Sequence, residues 1–176
     1  MKTECLLQRE VDLVLAVLTP ANRLVMRAAL HTGLRISDVL SLKTDQLRSH
    51  FWVTEMKTGK RRQVGLPEPL LTDLRNAAGS VWVFEGRRPS EHRTRQAVGT
   101  DVKRAAKAFR LPANIAPHSA RKYYGSELME QYGDIEKVRR ALNHRSETIT
   151  LVYALAHQQR LTKDKRRNSR RGGRRC

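Results

Sequence analysis

The chain has 176 residues and a net charge of +18, from 35 Lys and Arg against 17 Asp and Glu. This length suits one domain with a hydrophobic core of ordinary size. The sequence has no apolar run long enough to cross a bilayer, and its first five residues do not begin a secretory signal. Cys5 and Cys176 lie at opposite ends, without disulfide or metal-ligand spacing. The plain interpretation of these features is a soluble protein of a reducing cytoplasm, and this is what we expect.

The positive charge extends over the whole chain. Nine of the 35 basic residues and one of the 17 acidic residues lie from Arg160 onward, so residues 1–159 still carry a net charge of about +10. A basic body followed by a basic tail is typical of proteins that bind a polyanion, most often a nucleic acid, because each neutralised phosphate releases a counterion.

Apolar residues recur at helical spacing through most of the chain. The first pattern covers residues 6–18, and Thr19-Pro20 then predicts an N-cap and the first residue of a helix that Gly33 closes. A short helix follows from Ser37 or Asp38. Further helices are predicted over residues 68–77, 95–109, 118–131, 134–142 and 147–156.

Between these helices the pattern predicts strands. Residues 51–56 and 63–66 flank a turn at Thr58-Gly59-Lys60, and residues 81–84 form a third short strand. The predicted fold class is therefore mixed α+β, mostly helical, with a small three-stranded antiparallel sheet. We expect a domain over residues 1–160 and a basic, disordered tail over residues 161–176.

The residues capable of chemistry are cations, histidines and tyrosines at the ends of predicted elements. Thr58-Gly59-Lys60 lacks the glycine-rich start of a phosphate loop, and the histidines lack the paired spacing of a zinc site. Two arginines can clamp the non-bridging oxygens of a phosphoryl group without a metal. Such a set of residues could therefore stabilise the charge on a phosphoryl group without a metal.

Four segments resemble the motifs of the tyrosine recombinase (phage integrase) family, and they occur in that family's order. Thr32–Leu42 resembles the first motif, Met56–Lys60 the lysine-bearing β-hairpin, and Pro117–Lys122 the His-x-x-Arg motif. Leu142–Ser146 resembles the final motif, in which the nucleophile lies nine residues after the histidine, as Tyr153 does after His144. The implied catalytic set is Arg35, Lys57, His118, Arg121, His144 and Tyr153.

The resemblance implies a role for each of these residues. Arg35 and Arg121 would clamp the scissile phosphate and stabilise the charge of the pentavalent transition state, and His144 would hydrogen-bond a phosphate oxygen. Tyr153 would attack phosphorus and hold the 3′-phosphate. A phenol has a pKa of about 10 and needs cationic neighbours or a base to attack near neutral pH.

Lys57 would protonate the departing 5′-oxygen, and His118 would assist proton transfer at the tyrosine. Asp38 has two open interpretations, as a helix cap or as support for the active-site arginines. Tyr123, Tyr124 and Tyr132 are competing nucleophiles, although Tyr123 and Tyr124 follow Arg121 too closely in one helix to face the same phosphate. Tyr132 lies at a helix end and is expected to pack.

The resemblance also implies partners and location. It predicts a site-specific recombinase that acts on double-stranded DNA, self-associates as a tetramer on paired sites and works with accessory DNA-bending proteins. It predicts no metal, no cofactor and no membrane contact, and a cytoplasmic, nucleoid-associated location for a bacterial or phage-encoded protein. Two other functions remain open: a type IB topoisomerase-like nicking-closing enzyme and a non-catalytic DNA-binding regulator.

Three features depart from the family's pattern. Asn143 stands where a glycine commonly precedes the motif histidine, and Asn tolerates the same left-handed backbone. Most members carry an N-terminal core-binding domain before the first motif, which we expect to be absent here. The basic tail takes the place of the segment that the family exchanges between subunits, and it either lies along phosphates or only adds solubility.

Overall fold

In a computed structural model, the structure describes residues 6–88, 90–111 and 115–142, and single positions at 150, 151, 155, 158, 161 and 162. The elements of the first three ranges are α1 (Gln8–Val17), α2 (Pro20–Thr32), α3 (Ile36–Leu40), a 3₁₀ turn (Thr44–Gln46), β1 (His50–Thr54), β2 (Arg61–Gly65), α4 (Glu68–Ala77), α5 (Arg95–Ala108), α6 (His118–Tyr132) and α7 (Ile135–Ala141). The later positions are also helical. The mostly helical α+β class is confirmed.

Helix α2 lies at the centre of the domain. It contacts α1, α3, α4, α5, α6 and β2. Its buried residues include the polar Asn22 and Thr32 and several apolar side chains, of which the small Val25, Ala28 and Ala29 are almost fully buried. Small side chains let neighbouring helices approach closely, so the residues just beyond α2 are brought near α6 and the sheet.

The two ends of α2 were predicted from Thr19-Pro20 and Gly33. The helix runs from Pro20 to Thr32, and Gly33 closes it with a left-handed φ of 61° and an N–H bond to the Ala29 carbonyl. Thr19 occupies the N-cap position, but its hydroxyl makes no capping bond and instead donates to Asp101 Oδ2 at 2.9 Å. The cap residue therefore serves a tertiary contact between α2 and α5.

The sheet is an antiparallel pair, with Phe51 opposite Val64 and Val53 opposite Arg62. Both strands alternate exposed and buried residues, so one face packs on the core. The prediction of a third strand over residues 81–84 in this sheet is wrong. Instead, Trp82 forms an isolated bridge with Lys43. The Val81 carbonyl accepts from the Thr44 N–H, and the Val83 N–H donates to the Leu42 carbonyl.

The second half of the domain consists of α5, α6 and α7. Thr94 caps α5 by accepting from the Ala97 N–H, and Asp134 caps α7 by accepting from the Glu136 N–H. Helix α6 packs against both α2 and α7. The predicted helix over 147–156 is confirmed at the described positions 150, 151 and 155.

Residues 161 and 162, expected to begin the tail, are helical, and the tail from residue 163 lies outside the described residues. No helix of the described ranges is both long enough and apolar enough to span a bilayer.

Candidate active site

A cleft of about 650 Å³ opens between α3, the turn after β1, and the starts of α5 and α6. Three of the predicted catalytic residues line it: Arg35, Lys57 and His118. Arg95, the first residue of α5, lines it as well. Segments separated by some 80 positions in the chain thus present cations to one space, which favours an anionic ligand.

Arg35 reaches the cleft because it directly precedes α3. Its backbone is extended, at the N-cap position of that helix, and its side chain is 24% exposed. Nη1 donates to Glu55 Oε2 at 2.5 Å. A charged pair of this kind fixes the direction of the guanidinium while leaving other N–H groups available.

Arg121, a fourth predicted catalytic residue, does not line this cleft and is almost fully buried, with 1% of its surface exposed. Nη1 donates to the Gly33 carbonyl at 2.8 Å and Nη2 to the Leu142 carbonyl at 2.5 Å. Nη1 also lies 3.6 Å from Glu55 Oε1. Arg121 therefore joins the end of α2 to the end of α7, and the carboxylate of Glu55 connects it to Arg35.

Glu55 is a site residue that the sequence analysis did not select. It is completely buried, and besides Arg35 and Arg121 it faces Arg62, whose Nε lies 4.0 Å from Oε1. Burial raises the pKa of Glu55, but the hydrogen bond from Arg35 and the charge of Arg121 outweigh it, so the pKa lies below its usual range. The carboxylate is ionised at neutral pH.

Arg62 was also missed. Its Nη2 donates to the Thr32 carbonyl at 2.7 Å, and its Nη1 donates to the Ala141 carbonyl. A signal for Glu55 and Arg62 was present in the strand alternation. Glu55 continues the inward phase of Phe51 and Val53, and Arg62 shares the inward phase of Val64. A charged residue at an inward position needs a buried partner of opposite charge.

Asp38 had two open interpretations. Its Oδ1 accepts the backbone N–H of Met56 at 2.9 Å, and α3 has no side-chain cap. Burial, and after it the charge of Glu55, raises the pKa of Asp38, while the Met56 N–H and the charges of Arg35 and Arg121 lower it, leaving a raised value. Asp38 therefore supports the turn after β1 and does not cap its own helix.

Lys57 lies on the turn between β1 and β2 and is exposed. The N–H groups of Thr58 and Gly59 bond the Glu55 carbonyl at 3.2 and 2.8 Å, and Gly59 has a left-handed φ of 65°. The turn is thus closed by Glu55 and supported by Asp38 while the lysine side chain remains outside it. This placement agrees with the predicted hairpin position.

His118 is the first residue of α6 and is accessible from the cleft. Loss of hydration, followed by the positive charges of Arg121 and Lys122, lowers the pKa of its imidazole below the usual range. Arg35 and Lys57 act in the same direction. The imidazole is therefore neutral near pH 7 and able to accept a proton.

The three competing tyrosines take other places. The Tyr123 hydroxyl donates to Gln8 Oε1 on α1, and Tyr123 is 8% exposed. Tyr124 packs its ring against Gly33, and burial raises the pKa of its phenol. Tyr132 is 45% exposed at the end of α6, with Lys137 Nζ 5.8 Å from its ring centroid. The expectation that Tyr132 packs is wrong, since the residue is exposed and is not among the buried core residues.

His144 and Tyr153, the remaining members of the predicted set, lie outside the described residues. The nearest described residue before His144 is Leu142, whose carbonyl accepts from Arg121. Within the described part of the chain, no three His, Cys, Asp or Glu side chains are grouped as metal ligands.

Residues 5–160 match the model of the phage integrase family. The chain belongs to the phage integrase family. Among curated members it is similar to the probable integrase/recombinase YoeC of Bacillus subtilis (strain 168), with 32% identity over 130 residues, which cover 70% of this chain and 71% of YoeC. It is also similar to the tyrosine recombinase XerD of Rhizobium meliloti (strain 1021), with 30% identity over 141 residues, 74% of this chain and 45% of XerD.

The fold of this integrase-family chain is also found in solved structures. The catalytic domain of bacteriophage HP1 integrase matches with a TM-score of 0.67 and 22% identity, over 94% of this chain and 95% of that domain. The tyrosine-recombinase catalytic fold predicted from the four motifs is confirmed. The integrase-family chain spans only about half the length of XerD.

Proposed function

We propose that this chain forms the catalytic domain of a site-specific tyrosine recombinase, which cleaves and rejoins duplex DNA through a 3′-phosphotyrosyl link to Tyr153. The observation that supports this best is the cleft that combines Arg35, Lys57 and His118, each from a different motif, with Glu55 linking Arg35 to the buried Arg121. Core packing alone does not require three such groups to face one open space. An anionic substrate with a transferable phosphoryl group accounts for all of them.

The reaction is a transesterification, in which the phosphoryl group moves from a DNA oxygen to the tyrosine oxygen. The Tyr153 phenolate attacks phosphorus, the bond from phosphorus to the 5′-oxygen breaks, and the phosphate stays on tyrosine at the 3′ end. His118, neutral near pH 7, takes the phenol proton, and Lys57 donates a proton to the departing 5′-oxygen. Religation reverses these steps, so the energy of the broken bond is kept in the ester.

The arginines and His144 stabilise the charge that develops on the phosphate. Arg35 offers N–H groups directly into the cleft. Arg121 is assigned to the same phosphate by its motif; in this structure its guanidinium is buried and uses two of its five N–H donors on carbonyls, which leaves three for a substrate. His144 supplies a further hydrogen bond from the segment that follows Leu142.

The partners follow from charge and from the family. A net charge of +18 favours duplex DNA as substrate. XerD and YoeC carry recombinase names, and strand exchange between two sites needs four catalytic domains, so we propose a tetramer on paired DNA sites, assisted by DNA-bending proteins at the nucleoid. Residues 1–160 would form the catalytic domain and residues 161–176 a basic tail along the DNA backbone.

The decisive experiment traps the covalent intermediate. The protein is incubated with a pool of nicked duplexes of randomised sequence, in which cleavage beside the nick releases a short fragment and prevents religation. Covalent complexes are isolated after denaturation, the DNA is sequenced and the modified peptide is mapped. We expect attachment at Tyr153.

Matched variants test the assignment of the nucleophile. Tyr153→Phe should abolish attachment and keep DNA affinity within about threefold, because only the attacking oxygen is removed. Tyr124→Phe and Tyr132→Phe should attach normally. Attachment that persists in Tyr153→Phe and vanishes in either control would move the nucleophile, and absence of any covalent complex with the unmodified protein would refute the proposed function.

A further inference from the structure

The carboxylate of Glu55 is enclosed by positive charge. Arg35 Nη1 lies 2.5 Å away, Arg121 Nη1 3.6 Å and Arg62 Nε 4.0 Å. Glu55 itself is completely buried. A buried carboxylate is costly unless it is paired, and here the pairing is with three guanidinium groups. Burial and the charge of Arg121 lower the pKa of Arg62, which reflects the repulsion among the arginines. The charge of Glu55 acts in the opposite direction and reduces this repulsion.

The three arginines do not depend on Glu55 equally. Arg62 and Arg121 are each held by two backbone carbonyls, at the ends of α2 and α7. Within the described part of the chain, Glu55 is the only hydrogen-bond partner of the Arg35 side chain. The direction in which Arg35 points into the cleft is therefore set by Glu55.

Glu55 also holds the turn that carries Lys57. Thr58 Oγ1 donates to Glu55 Oε2 at 3.0 Å, the same oxygen that binds Arg35. The backbone of Glu55 closes this turn at both ends, accepting from Gly59 and donating to the Lys60 carbonyl at 2.9 Å. Glu55 Oε2 thus links Arg35, which lines the cleft, to Thr58, which directly follows Lys57.

We propose that Glu55 is a positioning residue that holds Arg35 and the Lys57 turn in one arrangement, so that the phosphate clamp and the proton donor are placed together. This inference rests on the proposed function. Glu55 touches neither substrate nor reacting atom, and it acts through Arg35 on one side and through Thr58 on the other.

The test separates these two connections by substrate chemistry. A duplex whose bridging 5′-oxygen is replaced by sulfur releases a thiolate, which leaves without protonation, so cleavage of this duplex does not need Lys57. It still needs Arg35 on the phosphate. The probes are a nicked duplex recovered from the trapping experiment and its 5′-sulfur analogue.

Two conservative variants are compared on both probes. Glu55→Gln keeps shape but removes the charge that holds Arg35, and we expect cleavage to fall about tenfold or more on both duplexes, with DNA affinity within about threefold. Thr58→Val removes only the hydroxyl that links the turn to Glu55. We expect it to cleave ordinary DNA several-fold more slowly and the sulfur duplex at the unmodified rate.

Three results would overturn the inference while the unmodified protein still forms its covalent complex. They are cleavage of both duplexes by Glu55→Gln at the unmodified rate, full recovery of Glu55→Gln on the sulfur duplex, and equal defects of Thr58→Val on the two duplexes. If Glu55→Gln does not fold, the Thr58→Val comparison alone decides. Failure of the unmodified protein to attach to DNA refutes the proposed function instead, so the two failures are distinguishable.

Discussion

Arg121 donates from Nη1 to the carbonyl oxygen of Gly33, 2.8 Å away, although the two residues are separated by 88 positions. Gly33 ends α2 in a left-handed conformation, and Arg121 lies in the first half of α6. This hydrogen bond joins the first motif to the His-x-x-Arg motif. It fixes the backbone two residues before Arg35 against the helix that carries His118.

The two arginines should differ when each is replaced by lysine. Arg35→Lys and Arg121→Lys should each slow cleavage by about 10²–10³, because one ammonium does not reproduce a guanidinium fork on a phosphate. Arg121→Lys should also lower the free energy of unfolding by about 1–3 kcal/mol, since a lysine leaves a buried carbonyl without a donor.

Single-turnover cleavage and urea unfolding of both variants provide the measurements. Arg35 is partly exposed and holds no backbone carbonyl in the described part of the structure, so Arg35→Lys should unfold close to the unmodified protein. Cleavage near the unmodified rate in either variant would contradict the clamp. A loss of stability in Arg35→Lys equal to that in Arg121→Lys would contradict the structural distinction.

Lys57→Ala should lose most cleavage of ordinary DNA and recover on the 5′-sulfur duplex, because the thiolate leaves without the proton that the lysine supplies. Lys60→Ala is the control, since Lys60 lies on the same turn and is also exposed. If Lys57 only contacts the DNA backbone, both variants should weaken binding in a salt-dependent way and sulfur should give no rescue.

Gly33→Ala should destabilise the domain more than a glycine of the same conformation elsewhere. A Cβ on Gly33 would lie 2.1 Å from Cδ1 of Tyr124, and φ is 61°. Gly133 has the same φ and also closes a helix, but a Cβ there meets nothing within 4 Å. We expect Gly133→Ala to cost about 1–2 kcal/mol and Gly33→Ala to cost about 1–3 kcal/mol more.

Thermal and urea unfolding of the two glycine variants measure this difference. The left-handed backbone penalty is common to both, so the excess in Gly33→Ala reports the clash with Tyr124. Equal losses in the two variants would show that the ring of Tyr124 moves aside at no cost.

Asp101 should make stability depend on pH in the acid range. Its Oδ2 accepts from the Thr19 N–H and from Asn22 Nδ2, and its Oδ1 accepts from Arg104. Burial raises the pKa of Asp101, but these hydrogen bonds outweigh it and lower the pKa to about 2. A depressed carboxyl pKa stabilises the fold above the unfolded pKa of about 4, and this contribution is lost as pH falls towards 2.

The comparison of Asp101→Asn with the unmodified protein isolates this contribution. The unmodified protein should be more stable by up to about 2 kcal/mol at neutral pH, and the difference should shrink between about pH 4 and pH 2. Unfolding at a series of pH values measures it. A difference that stays constant over this range would show that the charge of Asp101 is not what joins α2 to α5.

Local sequence determined most of the secondary structure. Pro20 and Gly33 marked the ends of α2 because proline is compatible with a first helical turn and glycine with a left-handed end. The hairpin followed from alternation on either side of a turn with glycine. The four motifs, in their order, were enough to predict the family, and they supplied three residues that the fold brings to one cleft.

Only the tertiary structure decided which groups meet. Thr19 was predicted from its position to cap α2, yet its hydroxyl bonds Asp101 on α5, and residues 81–84 bond the chain at residues 42–44 instead of joining the sheet. The alternation of buried and exposed residues along β1 places Glu55 on the inward face but does not identify the side chains it contacts. Those partners, Arg35 and Arg121, come from distant segments, and contacts between distant segments depend on how whole helices pack around α2, which no local spacing encodes.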